Sequence, residues 1–249
     1  MKQLAVTSRR SVLALGAGVL AATVVREAVA AVTRPVVVEL FTSQGCSSCP
    51  PADAFLTELR SMPGVVAMTY HVDYWDYLGW KDTLGAPEYS QRQYDYARAR
   101  GDMDVYTPQM IVDGAEYFVG SDRAAVLDAI KKAQAKPAGV PMTLTDKGSE
   151  LVVTVDAAEG LAECMVWLMP IVPRASVKIL KGEIAGQTVE YHNIVRALIP
   201  AGTWSGEAKT IAMPKDGVLT SGKISCMALL QQPKAGPILG VARWGDTGA

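Results

Sequence analysis

A Cys-x-x-Cys pair at the end of a β-branched apolar run is the feature that most restricts what this chain can fold into. Val36-Val37-Val38-Glu39-Leu40-Phe41, bounded by Pro35 and by Thr42-Ser43-Gln44-Gly45, has the composition of a strand buried on both faces. It ends directly at Cys46. Pro50 and Pro51 follow Cys49 where a helix accepts proline, in its first turn, and residues 52–60 supply a helical stretch that Pro63-Gly64 stops. A strand running into a helix with sulfur at the junction places Cys46 beside unpaired backbone N–H groups and the positive end of the helix dipole, where a thiolate is stabilised. Cys46 is then the expected nucleophile. Cys49, one turn further on, is the expected resolving cysteine. Two other readings stay open: half of a zinc site, although no further Cys or His lies close by in sequence, and a structural clip, although so short a loop constrains the unfolded chain little.

The rest of the first half continues the alternation. Val65 to Tyr70 is a second strand candidate, and Pro87 to Arg100 is a helix candidate closed by Gly101. Tyr106 to Val112 and Glu116 to Val119 flank Asp113-Gly114, a two-residue hairpin signal. Ser121 is placed to cap a last helix with Val126, Leu127 and Ile130 as its apolar stripe. From Pro137 onward the pattern changes to short strands punctuated by turns, which favours a β-sandwich. The expected organisation is an α/β domain over residues 31–136 followed by an all-β sandwich-like domain over 137–249. Cys164 and Cys226 fall inside predicted strands of that second domain; they are candidates for a structural disulfide across two sheets, or for two buried thiols.

Residues 1–30 read as an address. Ser8-Arg9-Arg10-Ser11-Val12-Leu13 precedes an uncharged stretch and a small-residue cleavage pattern at Ala28-Val29-Ala30, the layout of a twin-arginine-type signal peptide. The expected location is periplasmic or secreted, without stable membrane insertion after signal removal, and there disulfides persist. With 20% charged and 49% hydrophobic residues the chain is neither a disordered tail nor a multi-pass membrane protein. Its 24 Lys and Arg against 25 Asp and Glu leave no basic excess to neutralise a phosphate backbone, so nucleic acid is not an expected partner.

The strand, Cys46-Ser47-Ser48-Cys49-Pro50, the helix and the later Thr107-Pro108 resemble the thioredoxin superfamily. More narrowly, ELFTSQGCSSCPPAD at residues 39–53 and HVDYWDYLGWKD at 71–82 look like a family of exported bacterial proteins of unknown function with a thioredoxin-like fold. The resemblance implies a cis Thr107-Pro108 bond forming the substrate-facing wall beside Cys46. It also implies a proton-shuttling acid on the strand before the dithiol, a position Glu39 matches; an acidic residue within an apolar strand is costly to bury unless neutral or paired. The alternative for Glu39 is a strand-edge carboxylate reaching water. His71, Asp73 and Trp75 follow the second strand and are expected on the same rim as Cys46, lining the substrate site.

The function expected is thiol–disulfide exchange on protein or small disulfides, with a membrane electron donor as a further candidate partner and no cofactor besides the dithiol itself. The lack of a histidine between the two cysteines favours reductase or exchange activity over strong oxidation. Two alternatives accompany it. The Cys46, Cys49 and His71 set would suit copper delivery, and a non-catalytic scaffold would dock partners through its second domain.

Overall fold

The computed structural model describes Met1, residues 34–219 and residues 225–246; apart from Met1, the expected export segment lies outside the described residues. β1 (Val36–Thr42) and β2 (Val65–His71) are buried along their whole length and pair in parallel, from Val36 opposite Val65 to Thr42 opposite His71. Runs covered on both faces need no apolar–polar alternation, which is why the valine-rich segments read as continuous. α1 (Pro50–Leu59) crosses between them, its prolines in positions whose N–H groups would have no partner within the helix. α2 (Pro87–Arg100) also opens on proline and stops at Gly101, whose φ of 81° makes a left-handed C-cap. In the hairpin of β3 (Gln109–Val112) and β4 (Glu116–Val119), Asp113 and Gly114 both take positive φ, 51° and 66°, as a tight hairpin turn requires. α3 (Arg123–Gln134) is capped by Asp122 and not by Ser121: the Asp122 carboxylate accepts the Ala125 N–H at 3.1 Å.

The second half is not a free-standing sandwich. It comprises β5 (Met142–Asp146), β6 (Glu150–Val155), β7 (Cys164–Lys178), β8 (Thr188–Val195), β9 (Ile199–Trp204), β10 (Lys209–Pro214), β11 (Ser225–Gln231) and β12 (Ile238–Trp244). Among the described residues the main sheet runs β12-β11-β7-β8-β2-β1-β3-β4, with β9 on β7, while β5, β6 and β10 form a small second sheet. The two halves of the chain are joined where β8 meets β2 in parallel at Thr69 and Ile194. Side chains complete that seam. Thr69 Oγ1 donates to the His192 carbonyl and Asn193 Nδ2 donates to the Ala67 carbonyl, both at 2.9 Å. The boundary expected near residue 136 therefore separates no two bodies: Thr33–Ala249 is one compact unit.

The layers follow from the parity of β1. Val36, Val38 and Leu40 pack against α1 and α3 through Phe55, Leu56, Leu59 and Ile130. Val37 and Phe41 face the other way, into a core with Tyr89 and Tyr96 of α2 and Met227 and Leu229 of β11. The small sheet covers part of the second half through Leu144, Leu151 and Val153. Here the expected sheet-on-sheet packing is present, built on an extension of the first half's sheet.

Candidate functional site

Cys46 and Cys49 are joined by a disulfide at the carboxyl end of β1, their Cα atoms 5.4 Å apart. Cys49 is the residue before α1, and its carbonyl accepts the N–H groups of Ala52 and Asp53 at 2.9 and 3.1 Å. It has no exposed surface. Cys46 keeps 4%, with Ser47 and Ser48 exposed between the two. One sulfur thus lies at a lip and the other under it, at a helix N-terminus whose dipole favours negative charge on sulfur.

Three of the expected substrate-facing residues gather around Cys46. The Thr107-Pro108 peptide is cis, and the Thr107 carbonyl oxygen lies 3.7 Å from Cys46 Sγ. Ser48 Oγ stands 3.4 Å from the same sulfur. Trp75 Nε1 donates to Thr107 Oγ1 at 2.7 Å, and its ring stacks on that of the exposed Tyr77. This aromatic lip requires Gly45, since a Cβ there would come within 3.0 Å of Trp75 Cβ. Behind the wall, Gly120 donates its N–H to the Pro108 carbonyl at 2.8 Å; a Cβ there would meet Pro108, Ala52 and Leu40 at 3.0–3.1 Å. The connection between β7 and β8 adds a group that composition and spacing did not suggest: Glu183 Oε2 accepts the Ser47 N–H at 3.3 Å.

His71 is not on this rim. Its ring is fully buried at the end of β2, where Nδ1 lies 2.9 Å from Asp82 Oδ2. Asp82 is itself fixed by the N–H groups of Gln44 and Leu84, each at 2.8 Å. Burial alone would raise the Asp82 carboxyl, but the imidazole and these N–H groups hold it below the usual carboxylate range. A second acid, Asp53, lies buried on α1. Burial pushes its carboxyl up to about 7, against the pulls of His71 and the Thr42 hydroxyl and with a small push from Asp82. Asp53 sits inside the ELFTSQGCSSCPPAD motif without its chemistry being apparent there. The available signal was its spacing of one turn from Cys49 on a face that is otherwise apolar.

Glu39 is corrected as a proton carrier for the dithiol. It shares the parity of Val37 and Phe41 and so faces α2, on the side of the sheet opposite α1. There Arg92 Nε donates to Glu39 Oε1 at 2.8 Å and the Tyr96 hydroxyl donates to Oε2; Arg92 Nη1 donates to Gln231 Oε1 at 3.2 Å. A buried carboxylate so paired is a structural charge. Asp73 also leaves the rim: its carboxylate accepts the Ser90 hydroxyl at 2.5 Å and fastens the loop to α2. Cys164 and Cys226 are buried free thiols, not a disulfide. Cys226 stands opposite Pro170 of β7, six residues along the strand from Cys164, about 20 Å at strand rise and far beyond disulfide reach. Burial pushes the Cys226 thiol up to about 12 and raises that of Cys164, which makes both poor nucleophiles. Among the described residues no cluster of three or more His, Cys, Asp and Glu is arranged to hold a metal, and no helix is long and apolar enough to cross a membrane.

Residues 37–231, which carry the disulfide, its rim and the buried acid–histidine cluster, match the model of a family described as protein of unknown function, DUF1223. The chain belongs to that family. Its fold is shared with protein AGR_C_4864 of Agrobacterium tumefaciens, whose crystal structure is 33% identical, with a TM-score of 0.74 over 87% of this chain and 96% of that one. HBP35 of Porphyromonas gingivalis, at 14% identity and a TM-score of 0.58 over 86% of this chain and 75% of that one, is similar in fold alone. No curated protein matches this DUF1223 chain.

Proposed function

We propose that this DUF1223 protein is an exported thiol–disulfide exchange protein with a thioredoxin-like fold, and that the Cys46–Cys49 pair is its redox centre. The observation that carries the reading is the placement of the disulfide: a buried Cys49 at the head of α1 and Cys46 at the lip beside the Thr107 carbonyl. In that arrangement a Cys46 thiolate attacks a substrate disulfide, and Cys49 closes the ring and releases the substrate. The dithiol carries both electrons, so no organic cofactor is called for. Trp75, Tyr77 and the Thr107-Pro108 wall offer a flat apolar approach suited to a peptide or small disulfide. The β-rich half would dock a protein partner or a membrane electron donor.

The direction of exchange leans toward reduction or isomerisation. Glu183 takes a Ser47 N–H that a thiolate at the helix terminus would otherwise face, and the intervening Ser47-Ser48 supplies no cation to hold the thiolate. A carboxylate at that place favours the disulfide form.

The test is an equilibrium titration of the pair in glutathione buffers, read by mass after thiol alkylation. A reversible two-electron transition within the range of cellular dithiols supports the reading. A pair that stays oxidised at all attainable poises is a structural clip and overturns it.

A further inference from the structure

Four elements bring buried polar atoms with few or no partners to one place near the disulfide. Nε2 of His71 at the end of β2 and the Tyr191 hydroxyl on β8 lack hydrogen-bond partners among the described residues, and the Asp53 carboxyl on α1 and the Thr42 hydroxyl at the end of β1 have at most each other. They are neighbours. Thr42 and His71 are register partners, the His71 and Tyr191 rings meet edge to face at 4.5 Å, and the Asp53 carboxyl feels both His71 and Asp82. Tyr191 in turn is raised by burial and by both carboxylates. An unsatisfied buried polar atom costs about 1–3 kcal/mol, so such a group persists where it has chemistry to perform.

Helix geometry supplies the target of that chemistry. Cys49 and Asp53 are four residues apart and therefore lie on one face of α1, and helical side chains lean toward the N-terminus, which tips the Asp53 carboxyl toward Cys49. Both residues are buried, Cys49 completely and Asp53 to 4% exposure. The carboxylate on the neighbouring strand is unavailable for the same task, because Arg92 and Tyr96 hold Glu39 on the other side of the sheet.

We propose that Asp53, coupled to the His71–Asp82 pair, carries the proton to and from Cys49 during exchange. The proposal rests on the exchange function argued above. In the reduced protein the Cys46 thiolate attacks one sulfur of a substrate disulfide, the substrate S–S bond breaks, and one half leaves as a thiolate. Cys49 then passes its proton to Asp53, and its sulfur attacks Cys46 Sγ. The Cys46–Cys49 bond forms, the bond from Cys46 to substrate breaks, and the second half leaves as a thiolate that takes a proton from water. The dithiol loses two electrons and the substrate disulfide gains them. In the reverse direction Asp53 donates its proton to the departing Cys49 sulfur. His71, held by Asp82 through Nδ1, is the adjacent group that adjusts the charge of the Asp53 carboxyl. A carboxyl titrating near neutrality is matched to both directions. The groups facing it are Thr42, His71, Asp82 and Tyr191, and Cys49 stands one turn before it at the start of α1.

The experiment is rapid mixing of the reduced full chain with oxidised glutathione, with acid quench and mass readout separating glutathionyl-Cys46 from the internal disulfide, between pH 5 and 9. Asp53→Asn is expected to leave the first attack unchanged, to slow ring closure roughly 10- to 100-fold so that the adduct accumulates, and to abolish the inflection near neutral pH. His71→Gln is expected to displace that inflection, and serves in place of Asp53→Asn if the latter does not fold. Ring closure at the wild-type rate with the wild-type pH profile overturns the role of Asp53 and leaves exchange standing. A wild-type chain that forms neither adduct nor internal disulfide overturns both.

Discussion

Asp53 lies one helical turn after Cys49 on the buried face of α1, and its backbone N–H donates to the Cys49 carbonyl at 3.1 Å, so the disulfide and an ionisable acid share one helix start. The consequence for stability has a definite sign. Burial raises the folded-state carboxyl from 3.8 to about 7, so the folded chain holds a proton that the unfolded chain gives up at lower pH. Stability should therefore be greatest below the unfolded value and fall as pH rises from about 4 to about 7. Asp53→Asn removes that slope. Thermal unfolding of the oxidised protein at pH 5 and pH 8 should show the wild type losing melting temperature and the variant losing less.

The Glu39–Arg92 pair should act on stability and not on exchange. Removing one partner strands the other charge in a core that includes Tyr70 and Tyr96. Glu39→Ala should destabilise by about 3–5 kcal/mol in urea unfolding, while the exchange rate per folded molecule stays at the wild-type value. A loss of exchange out of proportion to folded protein would return Glu39 to the mechanism.

Glu183 is placed to set the reactivity of Cys46 through the Ser47 N–H. Replacing it by Gln leaves an acceptor but removes the charge. The Cys46 thiol should then ionise lower by roughly half a unit, since a charge beside a helix terminus is worth about 0.3–1 kcal/mol and one unit is about 1.4 kcal/mol. The pH profile of iodoacetamide alkylation of the reduced protein reads this directly.

Access to Cys46 is narrow because Trp75 bridges to Thr107 above Gly45. Trp75→Ala should raise the reaction rate with a large aromatic disulfide more than with oxidised glutathione. Equal changes for the two would mean that the lip does not select by size.

Cys164 and Cys226 should remain thiols that alkylate only after unfolding. Alkylation of the native oxidised chain, followed by mass measurement, should add nothing; two additions should appear in denaturant.

The elements of the first half were legible because their signals are local. The valine run, the two helix-opening prolines, Gly101 and Asp113-Gly114 each dictate backbone geometry within a few residues. That Cys46, Cys49, Thr107, Pro108 and Trp75 lie together was legible for the same reason: each ends or follows a recognisable element. The errors lie where long-range pairing decides. No sequence pattern shows that β8 joins β2, so a continuous sheet read as two domains. β7 runs through Pro170 to Lys178 as its partners change from β9 and β11 to β8, a continuity that only those partners decide. Glu39 could not be placed on its face from sequence because the face of the sheet on which α1 packs, and the arginine waiting on the other, are tertiary facts. In each case the residue type was informative and its neighbour across the fold was not.

The most direct measurement is covalent capture at Cys46. A Cys49→Ala variant, reduced and then exposed to oxidised glutathione, cannot close the ring, so the account predicts one stable glutathionyl adduct on Cys46, identified by peptide mass and absent when Cys46 is also replaced. An unmodified Cys46 in the folded variant would contradict the account, because a sulfur that cannot hold a mixed disulfide does not exchange.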